Sequence, residues 1–151
     1  MHTEIAGRHH SARAEETFAL GERIGVELSN ASPEGALVLL VGPLGAGKTV
    51  LAKGIARGFG VTEPVVSPTY TIMAEYAGGR VPLHHVDLYR IEGREQLENI
   101  GLEDLLRGNG IVVVEWGEKL GERLTGEAWI RITIAMAPDG GRDMLVERMG
   151  A

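Results

Sequence analysis

Eight consecutive residues, Gly42-Pro43-Leu44-Gly45-Ala46-Gly47-Lys48-Thr49, satisfy the pattern G-x-x-x-x-G-K-S/T at every fixed position. Such a segment tightly limits the surrounding fold, because it needs a buried strand entering from behind and a helix leaving in front. Both are foreseen here: Ala36 to Val41 is a short apolar strand, and Leu51 to Ala56 reads as a helix. The glycines let the backbone wrap around phosphate oxygens with successive N–H groups pointing inward. The helix N-terminus adds unsatisfied donors and the positive end of its dipole. Lys48 is then expected to reach the β- and γ-phosphates and the Thr49 hydroxyl to ligate Mg²⁺, with Val50 completing the nucleotide-binding segment. The bland alternative, a glycine-rich turn without a ligand, is disfavoured by the strand before, the helix after and Lys-Thr in register. The chain is expected to bind a nucleoside triphosphate.

Composition narrows the remaining classes. A chain of 151 residues, 44% hydrophobic and 24% charged, has the size and balance of one globular domain, and residues 1–151 are read as a single unit with 1–11 flexible. No apolar run approaches a membrane span, and Met1-His2-Thr3-Glu4 lacks a secretory pattern. The absence of cysteine excludes disulfides, thiolate metal sites and a thiol nucleophile, and fits a cytoplasmic location. With 15 basic against 21 acidic residues and no Lys/Arg block, direct nucleic-acid binding is not expected. A role in a nucleic-acid process would run through a protein partner.

The order of elements predicts an α/β domain: a P-loop NTPase-like, mostly parallel central sheet with flanking helices and antiparallel additions. Ala12 to Leu28 carries Phe18, Leu20, Ile24, Val26 and Leu28 among Glu and Arg, an amphipathic helix. Ser29 to Gly35 is a polar turn, and Gly58 and Gly60 end the helix after the loop. Val61 to Pro68 reads as extended; Thr69 to Ala77 and Val81 to Leu88 flank Gly78-Gly79 as a hairpin. Arg94 to Leu106 gives one or two short helices broken near Gly101. Ile111-Val112-Val113-Val114 has the β-branched character of a strand buried on both faces. Trp129 to Ile134 alternates as a half-exposed strand and pairs with Met144 to Glu147 across Pro138-Asp139-Gly140-Gly141. His9-His10 reads as a flexible polar stretch.

Hydrolysis needs more than a phosphate loop: a carboxylate must hold Mg²⁺ or its waters, commonly at the end of a neighbouring strand. Asp87 ends Val81 to Val86 and Glu115 ends Ile111 to Val114, so both would arrive at the C-terminal sheet edge where open α/β folds bind ligands. Lys48, Asp87 and Glu115 are the candidate catalytic residues, and Thr49, Asp87 and Glu115 the candidate Mg²⁺ side. His84 and His85 alternate faces, so at most one can point at this site.

In order and spacing, the loop Gly42 to Thr49, then Ser67-Pro68-Thr69-Tyr70, His85-Val86-Asp87-Leu88-Tyr89-Arg90 and Glu115-Trp116-Gly117-Glu118 resemble the bacterial TsaE (YjeE) family. Thr17 to Arg23 is similar to the family's opening helix, and Gly141-Arg142 to its late glycine-arginine turn. The resemblance spans about residues 14 to 148 and implies a small ATPase needed for threonylcarbamoyl modification of adenosine 37 in tRNA. It implies that Asp87 is the acidic residue of the Asp-Leu-Tyr-Arg motif and Glu115 the second acidic position, with Trp116 beside it. Ser67 to Tyr70 becomes a switch-like loop, and Gly141 a residue near the nucleotide, although a hairpin glycine explains it equally well. Two positions depart from the pattern: Val50 stands where many members have a second threonine, and Gly117 where proline is frequent, which would loosen that turn.

Taken together, these features imply ATP and Mg²⁺ as ligands and hydrolysis as a switch, with either Asp87 or Glu115 orienting the water. No arginine finger is evident in cis, which implies slow turnover until partners order the site. By resemblance those partners are TsaD and TsaB of the threonylcarbamoyl transferase, with tRNA met only indirectly and no membrane involved. The alternatives are a small-molecule kinase, which would need an acceptor site and an Arg-rich lid, and a nucleotide-dependent interaction module with negligible hydrolysis.

Overall fold

The computed structural model describes residues 5–31, 35–66, 72–77, 81–108, 110–123 and 129–149. Among these residues seven strands form one sheet: β1 (Gly7–Ser11), β2 (Gly35–Val41), β3 (Met73–Tyr76), β4 (Leu83–Asp87), β5 (Gly110–Glu115), β6 (Trp129–Met136) and β7 (Arg142–Met149). Their spatial order is β1-β7-β6-β2-β5-β4-β3. β2 lies at the centre, parallel to β5 and β6, and β4 runs parallel to β5. Antiparallel pairs β6/β7, β1/β7 and β3/β4 complete both edges. The four central strands β6-β2-β5-β4 are thus parallel, and the antiparallel additions expected at the edges make the sheet as a whole mixed.

The helices are α1 (Ala14–Ala31), α2 (Lys48–Phe59), α3 (Gly93–Asn99) and α4 (Leu102–Arg107), with a 3-10 helix at Gly117–Arg123. Alternation along the central strands divides the core between the two faces of the sheet. Val38, Leu40, Ile111 and Val113 pack with α1 and α2, whereas Leu39, Val86, Val112 and Val114 pack with Leu97, Leu102 and Leu120 from the other layer. Ile111 to Val114 is thus buried on both faces, as its β-branched run predicts. Among the described residues no helix is long and apolar enough to cross a membrane.

The packing of α1 on α2 carries a signal that hydrophobic periodicity missed. Val26 is 49% exposed; the buried stripe of α1 is instead Leu20, Gly21, Ile24, Gly25 and Leu28. Gly21 and Gly25 face Gly54 and Gly58 of α2, and the backbones touch: a β-carbon on Gly25 would stand 2.2 Å from the Ile55 carbonyl oxygen, and one on Gly58 2.1 Å from that of Glu22. Gly58 therefore does not end the helix, as its type suggested; it belongs to the contact surface. Gly60 ends it, in the left-handed conformation, with its N–H reaching the carbonyls of Ala56 and Arg57.

The N-terminal segment corrects another expectation. Gly7–Ser11 is an edge strand paired with Val146 to Arg142, so His9 and His10 are not a flexible stretch. His10 stands between Asp143, 2.8 Å from Nδ1, and Asp139, 3.0 Å from Nε2, and ties β1 to the β6–β7 turn. The Gly78-Gly79 turn falls outside the described residues; β3 and β4 on either side pair antiparallel as a hairpin requires.

Candidate functional site

β2 ends at Val41, and the loop begins at the C-terminal edge of the sheet. Gly45 and Gly47 have φ of 80° and 102°, left-handed values that glycine adopts without a Cβ penalty. Gly47 caps α2 with no side-chain hydrogen bond, leaving first-turn N–H groups directed at the mouth of the loop. That is the local construction of an anion site. Ala46 is fully buried and its N–H reaches Pro43 O at 3.1 Å, whereas Leu44 is exposed at the loop tip.

Register brings the two predicted carboxylates together. Asp87 and Glu115 are paired across β4 and β5, and Leu40 of β2 pairs with Glu115 on the other side, so both acids emerge beside the loop. Both are buried. Thr49 Oγ1 donates to Glu115 Oε1 at 2.8 Å, which joins the first turn of α2 to the end of β5. Asp87 Oδ1 accepts from the Tyr89 N–H at 2.8 Å. Lys48, Thr49, Asp87 and Glu115 therefore form one cluster, as the sequence anticipated.

Lys48 is buried and donates to the carbonyls of Gly42 and Pro43, while its Nζ lies 3.8 Å from the centroid of the Trp116 ring. Burial pulls the amine below its ordinary value, against the opposing pull of Glu118, Glu115 and Asp87. Trp116 itself has a φ of 61°, a strained conformation for a bulky residue, and its ring meets that of Tyr89 at 5.0 Å. Lys119 braces the Tyr89 segment through the carbonyls of Tyr89 and Ile91. Gly117 does not loosen the turn: a β-carbon there would stand 2.6 Å from Leu39 Cβ, so close approach to β2 favours glycine.

Across the loop from the carboxylates, toward β6, β7 and β1, a cleft of about 510 Å³ opens, lined by residues that include Ser11, Thr17, Gly45, Gly47, Val50 and Gly141. Ser11 and Thr17 share a buried hydroxyl–hydroxyl bond of 2.6 Å in its wall. Gly141 takes its place against β1, where a β-carbon would approach the Ser11 carbonyl oxygen to 2.3 Å. Its neighbour Arg142 was not foreseen as a functional group. The guanidinium donates to Ala46 O at 2.9 Å, Gly45 O at 3.1 Å, and Gly140 O and Gly141 O at 3.0 Å each. Arg142 thus fastens the back of the loop to the β6–β7 turn. Only its position after a glycine pair hinted at this, because the contact spans most of the chain. Ser67 to Tyr70, the expected switch-like loop, falls outside the described residues.

The oxygen donors Thr49, Glu115 and Asp87 suit a hard divalent cation such as Mg²⁺, which takes one or two carboxylates and keeps its other positions for water and phosphate. Among the described residues no group of three His, Cys, Asp or Glu side chains could hold a metal by itself.

This arrangement defines the class: a mixed α/β protein of one sheet, with a phosphate-loop sequence between its central strand and the following helix and two carboxylates on the adjoining strands. Comparison with known proteins then narrows it. The family described as Threonylcarbamoyl adenosine biosynthesis protein TsaE matches residues 11–144, and the chain belongs to the TsaE family. It is 40% identical to the tRNA threonylcarbamoyladenosine biosynthesis protein TsaE of Nostoc sp. PCC 7120 over 87% of this chain and 79% of that protein. It is 38% identical to the protein of the same name from Treponema pallidum, over 90% of this chain and 96% of the other. The crystal structure of Bacillus subtilis YdiB is similar at a TM-score of 0.72 and 32% identity, covering 92% of this chain and 82% of that one.

Proposed function

We propose that this chain is a P-loop ATPase that binds and hydrolyses Mg²⁺-ATP in support of the TsaD–TsaB complex, in the formation of N6-threonylcarbamoyladenosine at position 37 of tRNA. The pathway comes from the names of its relatives. The observation that carries the chemistry is the 2.8 Å bond between Thr49 and Glu115, with Asp87 in register beside it, at the lip of a loop that opens a helix with no side-chain cap. That pairing of hydroxyl and carboxylate is what a metal-assisted phosphate site requires.

The two sides of the loop give the nucleotide a direction. The γ-phosphate belongs at the β4–β5 side, near Lys48, Thr49, Asp87 and Glu115, and the nucleoside in the cleft bounded by Val50, Thr17 and Gly141. Phosphate oxygens take the loop N–H groups and the first-turn donors of α2. Lys48 exchanges the Gly42 and Pro43 carbonyls and the Trp116 face for phosphate, a better partner for its ammonium. Mg²⁺, when bound, would supply charge neutralisation of the phosphates. Asp87 and Glu115, with Thr49, would hold the metal, and one of the two carboxylates would orient the attacking water. Arg142 is engaged with loop carbonyls, so it stabilises the loop instead of acting as a finger on the transition state. Hydrolysis in isolation should be slow, and partner-dependent ordering supplies the remainder.

The test is phosphate release from Mg²⁺-ATP by the chain alone and with TsaB, TsaD and tRNA, with Lys48→Ala as control. Stimulation by the complex that disappears in the variant is the expected result. Negligible release in every mixture, despite demonstrated nucleotide binding, would refute the hydrolytic cycle. Phosphorylation of a small acceptor instead would identify a kinase.

A further inference from the structure

β4 places His85 on the sheet face that carries Leu83 and, one strand over, Ile111 and Val113, a row otherwise built for the apolar core. His85 is 1% exposed. Its Nε2 lies 2.6 Å from Glu115 Oε2, and its buried Nδ1 has no hydrogen-bond partner among the described residues. A residue serving only to fill this space would be aliphatic and leave no orphaned nitrogen. On the opposite face, His84 Nε2 lies 3.9 Å from the exposed Glu75.

Hydrogen-bond accounting fixes what the ring does. Glu115 offers only acceptors to its neighbours, so Nε2 must carry the proton in that bond. The orphaned Nδ1 is then best left as a bare lone pair, since a buried N–H without a partner is the rarer and less tolerated defect. The two oxygens of Glu115 are thereby divided. Oε2 is fixed from beneath by His85, and Oε1 is turned up toward Thr49 and the mouth of the loop.

We infer that His85 is a positioning residue that holds the Glu115 carboxylate in the rotamer presenting Oε1 to the metal side of the site. The inference rests on the proposed Mg²⁺-nucleotide reading of Thr49 and Glu115, and it gives His85 no contact with nucleotide. Partners of this kind behind a metal ligand contribute about 10- to 100-fold to metal affinity. The effect belongs to the metal, because the loop N–H groups and Lys48 bind phosphate without Glu115.

The test has two arms. In the nucleotide-free protein, two-bond ¹H–¹⁵N correlation spectra of the imidazole should show His85 protonated at Nε2 and bare at Nδ1, with the Nε2 signal moved by Glu115→Gln. In the ADP complex, Mn²⁺ is the probe, followed by electron paramagnetic resonance. His85→Leu should raise the Mn²⁺ concentration for half-occupancy by about 10- to 100-fold while leaving metal-free ADP affinity unchanged. His85→Gln, whose amide N–H can reach the same oxygen, should recover most of the loss. His85→Leu combined with Glu115→Gln should be no weaker than Glu115→Gln alone, because His85 acts only through that carboxylate. A proton on Nδ1, an unchanged Mn²⁺ requirement in His85→Leu, or penalties that multiply in the double variant would overturn the inference. If His85→Leu does not fold, the glutamine variant and the imidazole spectrum decide. If the wild-type chain binds no nucleotide, the proposed function fails, and with it the metal role of His85. The spectrum still reports separately whether the His85–Glu115 bond exists.

Discussion

Replacing Gly25 by alanine tests how the helical layer supports the phosphate loop. The new methyl would stand 2.2 Å from the Ile55 carbonyl oxygen, 2.8 Å from Phe59 N and 2.9 Å from Gly58 Cα, all of them backbone atoms. Carbon and oxygen settle no closer than about 3.3 Å, so α1 and α2 must part by roughly 1 Å. A gap of that size forfeits about a quarter to a half of the dispersion well across the contact. Leu20, Ile24 and Leu28 line this surface, and each contributes about 1.5–3 kcal/mol by burial. Losing a quarter of that sum, with residual overpacking of about 1–3 kcal/mol, is opposed by about 1 kcal/mol of better helix propensity. The net loss is about 1–4 kcal/mol, or about 2–16 °C in Tm for a domain of this size. Because α2 begins at Lys48, nucleotide affinity should fall with it. Thermal unfolding and ADP calorimetry measure both, with the exposed Val26→Ala as a control expected to stay within about 0.5 kcal/mol. A Gly25→Ala protein that melts at or above wild type would refute the backbone-contact reasoning and show that propensity decides.

Arg142→Ala removes four hydrogen bonds to the carbonyls of Gly45, Ala46, Gly140 and Gly141. With the guanidinium partly in solvent, the expected loss is about 1–3 kcal/mol of stability, with weaker ADP binding on calorimetry; Arg142→Lys should not restore either, since an ammonium lacks the planar fork. Full recovery by lysine would show that charge alone matters. The hydrogen bond that His10 donates to Asp143, helped by the charges of Asp139 and Asp143, holds His10 above its ordinary value of 6.5. A raised folded pKa means stabilisation that is complete below 6.5 and lost as pH rises through the higher folded value. The Tm advantage of wild type over His10→Gln should therefore shrink as pH increases through that window, and a gap independent of pH would refute the latch.

The candidate site was legible in the sequence where its geometry is local. The loop Gly42 to Thr49 dictates its own turn, its helix and the placement of Lys48 and Thr49, because a few φ values and one helix start determine them. Asp87 and Glu115 were readable as strand ends, since an apolar run that stops at an acid marks the edge of a sheet. Only the tertiary structure decided what depends on register and on contact between distant segments. It paired Asp87 with Glu115, joined Glu115 to Thr49 and His85, and divided the two carboxylate oxygens between them. It brought Arg142 onto the loop and made an edge strand of a segment that read as flexible. It also made Gly21, Gly25, Gly54 and Gly58, the last of which read as a helix end, into the surface where two helices meet. The physical reason is common to all of these: a residue's type and neighbours set its local conformation, but its partners are chosen by how the sheet and helices close on one another.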